Sequence, residues 1–416
     1  MKRAWLVSVV FLSLSLAAPG GEELRAAIAV RVVTPDPLLP VSGGVGPSTP
    51  ATELEGELNV RALVFESGET RVAFVSTDFL GFPAVLGERV RERVSSVPAE
   101  HILIGATHTH SAPDCYGFPD GKGGTDADME YLDGVCDKIA SAIEEAASSL
   151  EPVSVRIATA KVAEGIAYNY YAPELYDRRC SVIQAVATDG EPLATLVNYA
   201  IHPEVLGSKR GVLSPDLVGP LYERIEAAGG GKGIFMNGAQ GGMITADTRG
   251  PHPEGTEPWD ECVRIGHLLA DEALRIVAKA RPNKDPELRC HWREVDFPVD
   301  SPILRTIINA SPLGIADGDG SSLRARINLV ELGDARILTI PGEALPNIGY
   351  YLKRKLGGRH NLLFGLTNEA FGYILTKEDW FSFDRYDYVS RTCLGERTGE
   401  ILIRESLALV EEAAGR

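Results

Sequence analysis

Four apolar runs in this chain each end in a residue that can titrate or ligate, and nothing else constrains the fold as much. Residues 72–77 run into Asp78, and residues 103–106 lead to His108 and His110. Residues 194–201 end at His202, and residues 337–340 give Pro341-Gly342-Glu343. Short apolar runs of this kind read as buried strands. One strand ending in a polar group is ordinary. Four point to strand ends converging on one rim, where sites are commonly built. Side chains on an extended segment alternate, so His108 and His110 are expected to face the same way. Two imidazoles leaving a rigid element together can begin a divalent metal site. Taken alone, such a pair more often bonds backbone carbonyls near a turn.

The turns narrow the fold class further. Residues 62–65 and 72–75 flank Ser67-Gly68-Glu69, residues 180–186 and 194–202 flank Asp189-Gly190, and residues 325–332 and 337–340 flank Gly333-Asp334. Gly and Asp at these places are the chemistry of hairpins. Helical spacing covers residues 85–97, 128–150, 217–228, 259–279, 344–356 and 398–412. The run Gly229-Gly230-Gly231-Lys232-Gly233 lacks the spacing of a phosphate loop and reads as a helix-to-strand connection. Hairpins interspersed with helices predict an α/β fold of layered mixed sheets covered by helices. The expected unit is a single large catalytic domain over residues 24–416.

Lys2, Arg3, the apolar stretch 5–16 and Ser15-Leu16-Ala17 read as an export signal over residues 1–17. The mature protein is therefore expected outside the cytoplasm, periplasmic or secreted. With 41 Lys and Arg against 58 Asp and Glu, the formal charge of −17 argues against a nucleic-acid partner. It leaves room for an apolar substrate and for transient contact with a membrane surface. The six cysteines contain no C-x-x-C pair, which disfavours a thiolate zinc cluster, while export would allow disulfides.

Single residues carry less weight than their order. His202 precedes Pro203 and so sits in extended backbone. Glu343 could simply cap a helix starting near Ala344, and Tyr373 could be an aromatic core residue. In sequence, however, Val75-Ser76-Thr77-Asp78, Ala106 to Pro113, Asn198 to Pro203, Leu213-Ser214-Pro215-Asp216, Asn237 to Gly242, Pro341-Gly342-Glu343 and Asn368 to Thr376 follow one another collinearly. This series resembles the neutral/alkaline, non-lysosomal ceramidase family over most of the chain.

The resemblance implies one Zn²⁺ held by His108, His202, Glu343 and Tyr373, with His110 facing the substrate carbonyl. It implies an amide hydrolase that cleaves the N-acyl amide of ceramide or a related N-acyl lipid by attack of zinc-held hydroxide. Asp78 could orient a ligand or the nearby backbone. A serine implicated in catalysis in that family corresponds to Thr245, preceded by Met243 where the family has aspartate. A substrate-side arginine corresponds to Tyr168 or Tyr170, and the first tyrosine of Y-x-x-Y is Ala370. These departures keep two other readings open: a hydrolase of a non-lipid amide or ester, and an exported binding protein that keeps its metal for stability without turnover. No G-x-S-x-G elbow supports a serine hydrolase. His101, His252, His267, His291 and His360 stand outside every motif and read as structural or surface residues.

Overall fold

A computed structural model describes residues 23–250, 253, 255–283, 286–316 and 318–415. The expected leader at 1–17 and His252 lie outside the described residues. The main sheet is built from β1 (Arg25–Val32), β2 (Asn59–Ser67), β3 (Thr70–Thr77), β4 (Ile102–Ala106), β5 (Glu151–Lys161), β6 (Arg179–Ala187), β7 (Pro192–Tyr199) and β8 (Lys232–Asn237). Their spatial order is β8-β7-β6-β5-β1-β2-β3-β4. A second sheet joins β9 (Leu288–Pro298), β10 (Ser322–Leu332), β11 (Ala335–Thr339) and β12 (His360–Phe364) in sequential order. The three expected hairpins are present as β2/β3, β6/β7 and β10/β11, all antiparallel. Gly68, Gly190 and Gly333 each take a positive φ at these turns, which glycine adopts without strain.

Within these two sheets three strand pairs are parallel: β3 with β4, β7 with β8, and β11 with β12. They decide where the site lies. The eight-stranded sheet curls until its two edges meet, with the Ser76 hydroxyl of β3 donating to the Phe235 carbonyl of β8 at 2.6 Å. Asn198 of β7 donates to the Leu363 carbonyl of β12 at 2.8 Å, which ties in the second sheet. All three parallel pairs therefore deliver their C-terminal ends to one place, as open α/β sheets do at ligand sites.

Apolar faces hold the layers together. Leu63, Phe74, Ile183, Leu196, Val330 and Phe364 fill the space between the sheets. Phe74 meets Phe65 and Phe364 edge-on, with ring centroids 6.0 and 5.6 Å away, an arrangement the aromatic quadrupole favours. Burying each such ring stabilises the fold by roughly 1.5–3 kcal/mol. Outside the main sheet lie α1 (Ala84–Arg91), α2 (Met129–Ser148), α3 (Val218–Ala227) and α4 (Pro258–Val277). Helices α5 (Pro302–Ala310), α6 (Pro346–Lys355) and α7 (Thr398–Ala414) pack with the second sheet.

Some expectations need correction. Helix α1 stops at Arg91 rather than 97, because Glu144 of α2 accepts the Ser95 and Ser96 amides in a turn. Helix α6 begins at Pro346, since Glu343–Ala344 pairs as a strand with Tyr373–Ile374. All six cysteines are free thiols, so the disulfides that export would allow do not form. Among the described residues no helix is long and apolar enough to cross a membrane.

Candidate metal centre

His108 and His110 converge, though not by strand alternation. Strand β4 ends at Ala106, and His108 lies in a loop with φ of 74°, a strained value for a residue with a Cβ. Its amide donates to the Phe79 carbonyl at 3.0 Å, while the His110 amide donates to the Pro203 carbonyl at 3.0 Å. The Leu213-Ser214-Pro215-Asp216 segment braces this loop: Thr109 donates its hydroxyl to the Ser214 carbonyl at 2.8 Å, and Ser214 N–H to the Ser111 carbonyl at 2.8 Å. Asn237, at the end of β8, donates to the carbonyls of both Thr107 and Ile201 and so pins the two histidine loops together. Behind Glu343, a Cβ on Gly241 would stand 2.2 Å from the Glu343 carbonyl oxygen. Only glycine allows that approach.

The side chains so placed form one cluster. Ligand nitrogens of His108, His110 and His202 all lie within 4.8 Å of one another. Glu343 Oε2 is 3.1 Å from His202 Nε2 and 3.5 Å from His108 Nε2. Glu343 therefore points into the site instead of capping α6. Tyr373 sits opposite Glu343 in the short parallel pair, and its hydroxyl donates to the Met243 sulfur at 3.2 Å.

The backbone fixes the imidazole tautomers. His108 Nδ1 donates to the Leu80 carbonyl and His202 Nδ1 to the Ile244 carbonyl. Both Nε2 atoms then present lone pairs to the Glu343 carboxylate, which repels them unless a cation stands between. Donors around a tetrahedral cation at about 2.1 Å lie roughly 3.4 Å apart, so the 3.1 and 3.5 Å spacings fit a small metal ion. If the two imidazoles instead carry a second proton on Nε2, their charge and hydrogen bonds outweigh burial and hold the Glu343 carboxyl well below the usual range. Burial pushes the His110 imidazole down to about 4, aided by His108.

A narrow cavity of about 100 Å³ opens onto the cluster. His108, His110, Glu343 and Tyr373 form its reactive end, while Leu80, Phe118, Leu304, Ile307 and Ile308 form its apolar wall. Glu369 also lines it; burial pushes this carboxyl up to about 7, against hydrogen bonds from the Ala370 and Ala84 amides. Where the resemblance would place a tyrosine, at Ala370, the Tyr116 hydroxyl donates to the Ala370 carbonyl. Thr245 is not among the cavity-lining residues. It pairs with Tyr168 in a short strand, and its side chain favours the ionised form of Glu204. Arg249 lies 3.6 Å over the Tyr168 ring. Glu204 and Arg249 stand outside every sequence motif; a carboxylate two residues after a strand-end His-Pro was the sole signal for the first. His101, His291 and His360 bond elsewhere, away from the cluster.

Asp78 sits at the end of β3 and accepts the Asn59 amide at 2.8 Å. Burial pushes its carboxyl from 3.8 up to about 7. Between those values the unfolded chain has lost the proton that the folded chain keeps, so rising pH costs stability, by about 1.4 kcal/mol per unit. Asp78→Asn keeps the acceptor and removes the ionisation. Its stability relative to wild type, measured by denaturant unfolding, should climb from pH 4.5 to 7 and then level off. Parallel pH curves for the two proteins would refute the assignment.

No protein-family model and no curated protein sequence matches the chain. Solved structures do, two ceramidases among them. The crystal structure of neutral ceramidase from Pseudomonas aeruginosa aligns with a TM-score of 0.75 and 18% identity, over 94% of this chain and 75% of that one. A ceramidase complexed with C2 aligns with a TM-score of 0.76 and 17% identity, over 95% and 76%. The architecture is thus the neutral ceramidase fold.

Proposed function

We propose that the chain is a zinc-dependent hydrolase of the N-acyl amide of ceramide or a related N-acyl lipid, related by descent to the neutral ceramidases whose fold it has. The observation that carries this reading is the convergence of His108, His202 and Glu343, with His108 and Glu343 opening onto an apolar cavity. His108, His202 and Glu343 would hold the ion, with Tyr373 as fourth donor once its hydroxyl turns from Met243. A Zn²⁺ ion there supplies Lewis acidity that lowers the pKa of water and polarises a carbonyl oxygen. His110 faces the reacting amide, and the apolar wall takes a hydrocarbon chain and keeps water from it. Tyr388 lies on the cavity wall and is exposed, as are Tyr170, Phe381 and Phe383. Aromatic side chains of this kind favour a lipid–water interface, which supports brief contact with a membrane surface. Export after removal of residues 1–17 belongs to the same proposal.

The small cavity volume favours a second reading, a non-lipid amide or ester hydrolysed at the same centre. Turnover of N-acyl lipids by zinc-loaded protein, lost on chelation and regained with zinc, tests the first. Turnover of short polar amides alone selects the second, and no turnover of any substrate leaves a metal-stabilised binding protein.

A further inference from the structure

Glu204 belongs to no ligand set, yet the fold brings it to the back of His110. The bond from the His110 amide to the Pro203 carbonyl stitches the two loops together. It leaves Glu204 Oε2 3.9 Å from His110 Nδ1. The Thr245 side chain favours the ionised form of the Glu204 carboxyl. At the opposite end of the imidazole, His110 Nε2 is buried without any hydrogen-bond partner, and His110 lines the cavity. Neither Glu204 nor Thr245 is among the cavity-lining residues. Glu204 thus stands beside one nitrogen of His110, and the other nitrogen is buried without a hydrogen-bond partner.

We propose that Glu204 is a positioning residue that keeps the proton of His110 on Nδ1 and aims its Nε2 lone pair into the cavity. A carboxylate beside Nδ1 repels the tautomer that would place a lone pair there, and which nitrogen carries the proton is set by what the other faces. His110 then accepts a hydrogen bond from the attacking water or the substrate amide N–H, rather than donating one to the carbonyl oxygen. Thr245 acts by holding Glu204, without touching substrate. A third group that orients a reacting imidazole is a recurring arrangement in hydrolases. The inference rests on the hydrolase reading for its kinetic consequence, but not for the tautomer.

The test compares wild type, Glu204→Ala, Glu204→Gln and Thr245→Val as zinc-loaded full chains. Glu204→Ala should lower kcat roughly 10–100-fold, the range for losing a partner behind an active-site group, with KM and zinc content unchanged. Glu204→Gln, which keeps an oxygen beside Nδ1, should recover part of the loss, and Thr245→Val should lose less than Glu204→Ala. Imidazole ¹⁵N shifts should show His110 protonated at Nδ1 in wild type, with mixed tautomers in Glu204→Ala. Unchanged kcat and unchanged His110 shifts in Glu204→Ala would overturn the proposal. So would loss of zinc in that variant, which would place Glu204 in the metal site itself. If wild type turns over no N-acyl substrate but the tautomer still depends on Glu204, the hydrolase reading fails and the positioning role stands.

Discussion

Replacing His202 with asparagine should strip the protein of its zinc and lower turnover more than about 100-fold, because even losing a partner behind a metal ligand costs roughly 10–100-fold. Asparagine is chosen over alanine for a physical reason. His202 is fully buried, and its Nδ1 bond to the Ile244 carbonyl is part of the fold. An asparagine amide can repeat that bond while removing Nε2, the atom 3.1 Å from Glu343. Alanine would remove one of the two hydrogen bonds that the Ile244 carbonyl accepts and would open a cavity in the core, blurring a metal effect with a folding effect. Zinc per chain by elemental analysis and a thermal melt of the same sample separate the two. Retained zinc with full activity in His202→Asn would remove His202 from the ligand set.

The second large effect concerns the substrate. Ile308 of α5 lines the cavity beside Leu304 and Ile307. Ile308→Trp puts an indole into a space of about 100 Å³. Overpacking of this kind typically costs 1–3 kcal/mol of stability, which a melt will register. If the cavity takes a hydrocarbon chain, turnover of substrates with a long chain at that position should fall roughly 10–200-fold relative to short-chain ones, the discrimination a hydrophobic pocket gives per methylene lost or gained. Kinetics on amides varied separately in acyl and base chain length would identify which chain enters. An equal fall for every chain length would mean the chains lie elsewhere.

How much of this was legible in the sequence differs from residue to residue. The hairpins were legible because Gly68, Gly190 and Gly333 mark turns whose backbone only glycine adopts freely. The long strand β5 was not, although Val153, Val155 and Ile157 alternate, because no tight turn flanks it. Strand β9 hides for another reason: Arg289, Arg293, Glu294 and Asp296 break any apolar run, and the strand is held by its full-length pairing with β10. For the site, the strand-end positions of His108, His202 and Glu343 were readable, but the convergence of His108 and His110 came from a left-handed loop residue rather than from alternation. Glu204 carried only its place after His202-Pro203 as a signal, since its proximity to His110 is made by a bond between two loops nearly a hundred residues apart in sequence. Thr245, expected in a catalytic role, is not among the cavity-lining residues, and its side chain acts on Glu204.

Metal analysis coupled to turnover tests the central claim most directly. The full chain, purified without added metal, should carry close to one zinc, and it should hydrolyse an N-acyl sphingoid amide at a rate that chelation abolishes and zinc restores. A folded protein that binds no zinc when zinc is supplied, or one whose hydrolysis is indifferent to chelation, would contradict the account.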